Sequence, residues 1–372
     1  MQFSRIARGA VKHRNGEDEP VTYERIDDRP WPAPPVDALL LVSFGGPEGP
    51  SDVEPFLRNV TRGRDIPAAR LAEVSRHYLE IFGGVSPINA QARALKAALE
   101  AQLAAHGPQL PVYWGTRNWQ PDLVEAVRQM RDDGVRHALA VVTSAFPSYS
   151  GCRQYREDWW RAHHEVGDDA PLVSKLRHYW AEDGFLGPMA ANVAATLPSP
   201  GARLVFTAHS IPDSMAATSG PTGGAYVQTL RSAAAAVVAR LDRPYEWELV
   251  FQSRSGPPQV PWLEPDVGDH LVALHAEGVT DAVLVPIGFT SDHVEVLYDL
   301  DVQAQQRVSQ LKGFTLQRAA TVGTHPDFVA MLRELVVERL AGEEQPSHGA
   351  PATYDRCPVG CCAPVPPRSA SQ

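Results

Sequence analysis

The chain contains 372 residues, of which 44% are hydrophobic and 21% are charged, a composition typical of a soluble globular protein with room for two domains. Its net charge of −10 and pI near 5.7 argue against nucleic-acid binding, because such proteins present a basic face to the phosphates. No apolar run approaches the roughly 20 residues that cross a bilayer, and residues 1–20 lack the apolar core of a signal peptide. We therefore expect a cytoplasmic protein without a membrane span.

The first half of the chain alternates apolar strand patterns with amphipathic helix patterns. Residues 1–35 are polar and end in a proline-rich stretch, which predicts a poorly ordered extension. A first α/β lobe is predicted over residues 36–180. Its expected strands are 38–44, 111–115, 138–144 and 172–179, and its expected helices are 68–81, 88–105, 122–132 and 153–163.

The second half repeats this alternation, which predicts a second α/β lobe over residues 181–342. Expected strands lie near 203–207, 246–251 and 282–286, and expected helices near 225–241, 266–276, 295–311 and 326–340. Strands that alternate with helices in this way form parallel sheets through right-handed crossovers. Residues 343–372 form a tail that contains three of the four cysteines.

A weak internal repeat supports two similar lobes. The segment 133–142 reappears at 277–286, and in each copy a glycine follows a helix and a valine begins a strand. Chance similarity between helix-to-strand connections is the alternative explanation. Together with the strand count, the repeat predicts two Rossmann-like lobes, each a parallel sheet flanked by helices, with a cleft between them that is a natural ligand site.

His209 follows an apolar strand, where open α/β sheets place their ligands. An imidazole can accept a proton near neutral pH and its neutral form can bind a metal. Asp292, Glu295 and Asp299 follow another strand at positions i, i+3 and i+7, which predicts an acidic stripe on a helix. A hydrogen-bonded edge histidine and a solvated acidic face are the alternatives. The combination favours a cation site.

Other motifs are less specific. Residues 83–87 form a glycine-rich turn whose Ser86 and backbone N–H groups can bind a carboxylate, or that serves only as a loop. Trp262 lies in a proline-rich loop and can wall an aromatic ligand or merely belong to a long connection. The sequence contains none of the glycine-rich motifs typical of dinucleotide-binding or P-loop proteins. It also lacks the nucleophile-elbow motif of the α/β-hydrolases and the zinc-binding motif of the zincins.

Five segments resemble the ferrochelatases in order and spacing from about residue 37 to 342: 43–47, 83–87, 207–212, 262–266 and 291–299. The resemblance implies two Rossmann-like lobes and insertion of Fe²⁺ into a porphyrin. It assigns His209 as the catalytic histidine and Glu295 as its partner carboxylate at the iron site. Ser86 and Tyr155 match positions that contact porphyrin propionates.

The resemblance also bears on groups around the metal. Phe44 stands where some bacterial relatives have a tyrosine that reaches the iron, so that oxygen contact is absent here. Asp292 and Asp299 are expected to conduct protons or hydrated metal. No clear counterpart is expected for the second metal-site histidine that cobalt and nickel chelatases often carry.

The motif arrangement and the cysteine-bearing tail resemble the actinobacterial branch, which acts on coproporphyrin III. The sequence predicts no apolar lip at the cleft, which favours this four-propionate substrate over protoporphyrin IX. A cobalt or nickel tetrapyrrole chelatase is one alternative. A non-catalytic porphyrin or haem carrier with an iron–sulfur sensor is another. The expected partners are porphyrin, ferrous iron and, transiently, other haem-pathway enzymes.

The cysteines are Cys152, Cys357, Cys361 and Cys362. In a reducing compartment, clustered thiols indicate metal binding rather than disulfides. Their spacing fits a zinc knuckle poorly, and four thiolates are the complement of a [2Fe–2S] cluster. The arrangement resembles the iron–sulfur ferrochelatases, which implies that the tail folds back on the first lobe. A zinc site and free thiols are the alternatives.

Overall fold

The computed structural model describes residues 35–62, 66–256, 259–342, 357 and 360–364. The predicted extension, apart from Pro35, and most of the tail therefore lie outside the described residues. Among those that are described, no helix has the length and apolar character required to cross a membrane.

The first lobe is built on a four-stranded parallel sheet. Its strands are β1 (Ala38–Ser43), β2 (Val112–Thr116), β3 (His137–Val142) and β4 (Leu172–Lys175), in the order β2-β1-β3-β4. All residues of β1 and β3 are buried, as expected for parallel strands covered by helices on both faces. The helices are α1 (Val53–Val60), α2 (Ala68–Arg76), α3 (Ile88–His106), α4 (Leu123–Asp132) and α5 (Gln154–Val166).

The second lobe repeats this arrangement. Its strands are β5 (Arg203–His209), β6 (Trp247–Gln252), β7 (Asp281–Val285) and β8 (Thr315–Arg318), in the order β6-β5-β7-β8. The helices are α6 (Asp183–Thr196), α7 (Asp213–Ala217), α8 (Ala225–Val238), α9 (Val267–Ala276), α10 (Val294–Val296), α11 (Ala304–Val308) and α12 (Pro326–Ala341). Three π-helical segments, His77–Ile81, Tyr149–Arg153 and Leu297–Gln303, adjoin α2, α5 and α10.

The matching strand orders confirm the prediction of two similar α/β lobes. The sequence repeat lies at equivalent places, since Gly134 leads into β3 and Gly278 into β7. Both glycines have left-handed φ angles, of 80° and 89°, which glycine adopts without steric cost. The predicted strands are all present, although β4 ends four residues early. The edge strand β8 and the short helices α1 and α7 were not predicted.

The two lobes share one hydrophobic core. A single buried cluster contains Leu39 of β1, Phe206 of β5 and Phe185 of α6. Helix α12 reaches from the second lobe to the first, where Arg333 Nε donates to Gly107 O at 2.7 Å. This continuous packing fixes the spacing between the carboxyl ends of the two sheets, where a cleft opens.

Candidate active site

The cleft between the lobes has a volume of about 1160 Å³. Its walls come from residues that end or follow strands of both sheets, which is where ligands bind in open α/β folds. The lining includes Phe44 after β1, Arg117 after β2, Thr143 after β3, His209 at the end of β5 and Ser253 after β6.

His209 is oriented by its own backbone neighbour. Its Nδ1 lies 2.5 Å from the Ser210 carbonyl oxygen. A carbonyl can only accept, so Nδ1 carries the proton of the neutral ring and Nε2 presents a lone pair. The Tyr226 hydroxyl donates to His209 O at 2.9 Å and holds the backbone in place. The side chain is 33% exposed, so the ring can reach a bound ligand.

Glu295 faces this free nitrogen. Its Oε2 lies 3.7 Å from His209 Nε2, and its side chain is 47% exposed. Helix α10 buries Val294 and Val296 on either side of it, which turns Glu295 toward the cleft. The predicted pair of base and carboxylate is therefore brought together at one edge of the cavity.

The acidic stripe is only partly present. Asp299 lies in the π-helical segment and lines the cleft. It accepts hydrogen bonds from the Ser253 hydroxyl and, at 3.4 Å, from Gln252 Nε2. Burial raises the pKa of Asp299 to about 6. A carboxyl group of this kind can exchange a proton near neutral pH.

The helical position predicted for Asp292 is wrong. Asp292 precedes α10, which begins at Val294, and it does not line the cleft. Its carboxylate lies 3.1 Å from Nη1 of Arg318 on β8. This ion pair gives Asp292 a structural role beside the cleft rather than a place in it.

Ser86 and Tyr155 both line the cleft and are 3% and 5% exposed. The guanidinium of Arg117, which also lines the cleft, lies 4.9 Å from the centre of the Tyr155 ring. Its Nε is 2.9 Å from Asp158. Tyr155 therefore adjoins a buried cation that is paired with Asp158.

Two aromatic residues of the motifs form part of the wall. Phe44 packs edge-on against Phe56, with ring centres 6.3 Å apart, and offers no oxygen to a metal. Trp262 lines the cleft, as the hypothesis of an aromatic wall requires.

His293 was missed as a candidate, although it stands inside the recognised acidic motif. It lines the cleft together with His209 and Glu295. Burial lowers the pKa of His293, which favours its neutral, metal-binding form. The signal available in the sequence was its position two residues before Glu295.

Exposed apolar side chains lie on a segment next to the cleft. Leu79, Ile81 and Val85 are 40–45% exposed and lie on the segment that contributes Tyr78 and Ser86 to the lining. Three large apolar side chains therefore face solvent beside residues that line the cleft, although none of the three lines it. The absence of an apolar lip stays a prediction.

The structure brings the four cysteine thiols together. Hydrogen bonds with Cys152 lower the pKa of Cys357 and of Cys362, the latter to about 3. Cys361 Sγ lies 3.9 Å from Cys362 Sγ. Within residues 35–62, 66–256, 259–342, 357 and 360–364, no three or more His, Cys, Asp or Glu side chains form a group that could hold a metal ion.

The described tail residues contact both lobes. Arg153 Nη1 of the first lobe donates to Cys361 O at 3.2 Å. In the second lobe, the Gly220 N–H donates to Cys362 Sγ at 3.1 Å, and the Thr218 hydroxyl donates to Ala363 O. The tail thus lies against the junction of the lobes.

The sequence profile of the family described as Ferrochelatase matches residues 36–340. This chain belongs to the ferrochelatase family. The resemblance given by the five motifs is thereby confirmed.

Relatives match along nearly the whole chain. A Streptomyces griseus protein named coproporphyrin III ferrochelatase is 51% identical over 361 residues, covering 91% of this chain and 96% of that protein. A Frankia alni protein of the same name is 51% identical over 356 residues, covering 92% and 89%. The solved structure "SirB from Bacillus subtilis with Fe3+" is 14% identical, with a TM-score of 0.48 and coverage of 82% and 98%.

The raised pKa of Asp299 predicts a pH-dependent effect of Asp299→Asn on stability. The folded pKa of about 6 exceeds the unfolded value of about 3.9, so the folded state binds the proton more tightly. Ionisation therefore costs stability, with no cost below about pH 4 and the full cost above about pH 6. Asparagine keeps an oxygen for the Ser253 hydroxyl and removes this cost.

We expect the variant to gain stability relative to the wild type as the pH rises from 4 to 6, and the difference to stay constant above that. Urea unfolding of both proteins across this range measures the effect. A difference between the two proteins that does not change with pH would contradict the assignment.

Proposed function

We propose that this protein inserts Fe²⁺ into coproporphyrin III to give coproheme III in haem biosynthesis. The observation that carries the proposal is the pair of His209 Nε2 and Glu295 Oε2, 3.7 Å apart, at the edge of a cleft of about 1160 Å³. A base and a metal-binding carboxylate are the two groups that metal insertion requires.

Metalation replaces the two pyrrole N–H protons with one divalent cation. A ring bound out of plane exposes its nitrogens, and contacts with the rest of the ligand supply the energy for that distortion. In our proposal, His209 Nε2 accepts a proton as general base. Glu295 binds the incoming iron or passes the second proton on, and Asp299 exchanges protons with Glu295 along the π-helical segment.

The charge of the cleft supports coproporphyrin III, which has four propionates. Four arginines line the cavity: Arg70, Arg117, Arg254 and Arg307. Each pairs with a carboxylate of the protein, so a propionate would share or replace that partner. Protoporphyrin IX has two propionates and two vinyl groups and would use fewer of these cations. The 51% identical relatives named coproporphyrin III ferrochelatase support the same choice.

His293 bears on the alternative of a cobalt or nickel chelatase, because a second histidine in the cleft removes one argument against it. Membership of the ferrochelatase family favours iron. Measured insertion rates for Fe²⁺, Co²⁺ and Zn²⁺ separate these cases.

His209→Ala tests whether the protein is a catalyst or a porphyrin carrier. Loss of a general base costs on the order of 10²–10⁴-fold in rate. We expect anaerobic Fe²⁺ insertion, followed by porphyrin absorbance, to fall by at least about 100-fold, while porphyrin binding measured by fluorescence quenching is retained. His106→Ala, an exposed histidine at the end of α3, is the matched control and should be fully active. Fe²⁺ insertion no faster than in the absence of protein, for the wild type and for His209→Ala alike, would support the carrier.

We further propose that the four thiols hold a [2Fe–2S] cluster. Such a cluster takes four thiolates, two on each iron. Hydrogen bonds link the thiols of Cys152, Cys357, Cys361 and Cys362 to one another, although among the described residues they are not arranged as a ready metal-binding group. The Gly220 N–H that donates to Cys362 Sγ is a typical hydrogen bond to a cluster thiolate. When bound, the cluster would supply a redox-sensitive crosslink, and its place at the lobe junction suits a structural or sensory role.

A buried cation adds support. Lys175, at the end of β4, is 8% exposed, and its Nζ lies 3.3 Å from His178 Nε2. Burial and the Lys175 charge lower the pKa of His178 to about 3, so His178 is neutral. Among the described residues, no carboxylate pairs with Lys175. The charge of Lys175 contributes to the lowered pKa of Cys357, so the ammonium group lies near the thiols, where it would also offset part of the net negative charge of a four-thiolate cluster.

Cys152→Ser tests the cluster. Anaerobically purified wild-type protein should be red-brown, with about two iron and two sulfide per chain. The variant should be colourless and less stable, because the tail loses its link to the first lobe. Thr218→Val removes a neighbouring tail hydrogen bond without removing a thiol and should keep the colour. A zinc-loaded protein, or colour that survives Cys152→Ser, would exclude the cluster.

We also infer that the first lobe spans residues 36–180 and the second lobe residues 181–342. The thiols anchor the tail, residues 343–372, to the first lobe. We further propose that the protein is cytoplasmic and makes transient contacts with other haem-pathway enzymes.

A further inference from the structure

Gln91 connects the two lobes through its side chain. It lies on α3 of the first lobe, and its Nε2 donates to Asp292 O at 3.0 Å. In return, the Asp292 N–H donates to Gln91 Oε1, also at 3.0 Å. The carboxamide thus pairs with both polar groups of one backbone residue, 201 positions away in the sequence.

The residue that Gln91 holds lies three positions before Glu295. The region around Glu295 has other attachments to the first lobe. The Thr290 hydroxyl donates to Thr143 O at 3.1 Å, Val294 packs in a buried cluster with Phe56 and Tyr78, and the Tyr298 hydroxyl lies 3.0 Å from His77 Nε2. Helix α10 (Val294–Val296) continues directly into the π-helical segment, and no side chain caps its N-terminus. The buried side chains of Val294 and Val296 hold the helix in place, and the Gln91 hydrogen bonds fix the backbone just before it.

His209 needs no such support, because β5 and the Ser210 and Tyr226 contacts hold it. The separation between His209 and Glu295 consequently depends on where the loop lies. Gln91 does not line the cleft, so it touches neither porphyrin nor iron directly.

We propose that Gln91 is a positioning residue for metal insertion, which sets the distance of Glu295 from His209 by fixing the backbone of Asp292. This inference rests on the proposed function. Catalytic groups must be held close to their productive geometry, and a displacement of about 1 Å can cost on the order of 100-fold in rate.

A purely structural role is the competing explanation. The fold does not depend on Gln91 for the placement of α3, since Leu95, Leu99 and Leu103 of this helix are buried in the shared core. The two explanations therefore differ in their kinetic consequences. Misplacement of Glu295 affects use of the metal, whereas loss of a structural contact affects the amount of folded enzyme.

Gln91→Met tests the proposal, because methionine has a similar length and forms neither hydrogen bond. Loss of two hydrogen bonds predicts a decrease of about tenfold in kcat/KM for Fe²⁺. The KM for iron should rise while the porphyrin dissociation constant stays within about twofold of the wild type. Gln305→Met is the matched control, since Gln305 donates to Leu316 O within one lobe and does not line the cleft.

An unchanged KM for Fe²⁺ together with a lower melting temperature would show a structural role and overturn the proposal. If Gln91→Met fails to fold, the same measurements are made on Gln91→Glu. Glutamate keeps an acceptor for the Asp292 N–H but loses the donor to Asp292 O. Failure of the proposed function is distinguishable, because the wild-type protein itself would then insert Fe²⁺ no faster than the protein-free reaction.

Discussion

The hydrogen bond between His209 Nδ1 and the Ser210 carbonyl oxygen is the interaction on which the site depends. Because the carbonyl cannot donate, it selects the tautomer in which Nε2 is free. The opposite tautomer would present an N–H to the ligand, which could neither accept a pyrrole proton nor bind iron. The bond follows from the strand itself, since β5 ends at His209 and the chain turns at Ile211 and Pro212.

The second constraint is the fixed relation between the lobes. His209, Glu295 and Asp299 belong to the second lobe, whereas Ser86, Tyr155 and Arg117 form the opposing wall in the first. In the proposed function, a porphyrin that spans these walls is aligned with His209 only if the lobes keep their spacing. The shared core provides this, and the tail contacts with Arg153 and Gly220 lie at the same junction.

Much of this arrangement could be predicted from local patterns. His209 was identifiable because an apolar strand leads directly to it, and the two lobes because strand and helix patterns alternate. The edge strand β8 was missed because it has four residues of mixed exposure and no apolar run. Asp292 was misplaced because helical spacing was assumed to begin there, whereas its backbone is held by Gln91 and its carboxylate by Arg318.

Contacts between residues that are distant in the sequence could not be predicted from local sequence patterns. Nothing near Gln91 indicates its pairing with Asp292, and nothing near Gly220 indicates that its N–H meets Cys362. The position of Arg117 against Tyr155 likewise depends on how β2 and α5 pack. Such contacts exist only in the folded chain, where parallel strands carry distant segments to one sheet edge.

The central claim is that this cleft metalates coproporphyrin III. Steady-state rates of anaerobic Fe²⁺ insertion by the wild-type enzyme, measured with coproporphyrin III and with protoporphyrin IX, test it most directly. The arginines that line the cleft and the 51% identical relatives named coproporphyrin III ferrochelatase support a higher kcat/KM with coproporphyrin III. Faster turnover of protoporphyrin IX would contradict the account.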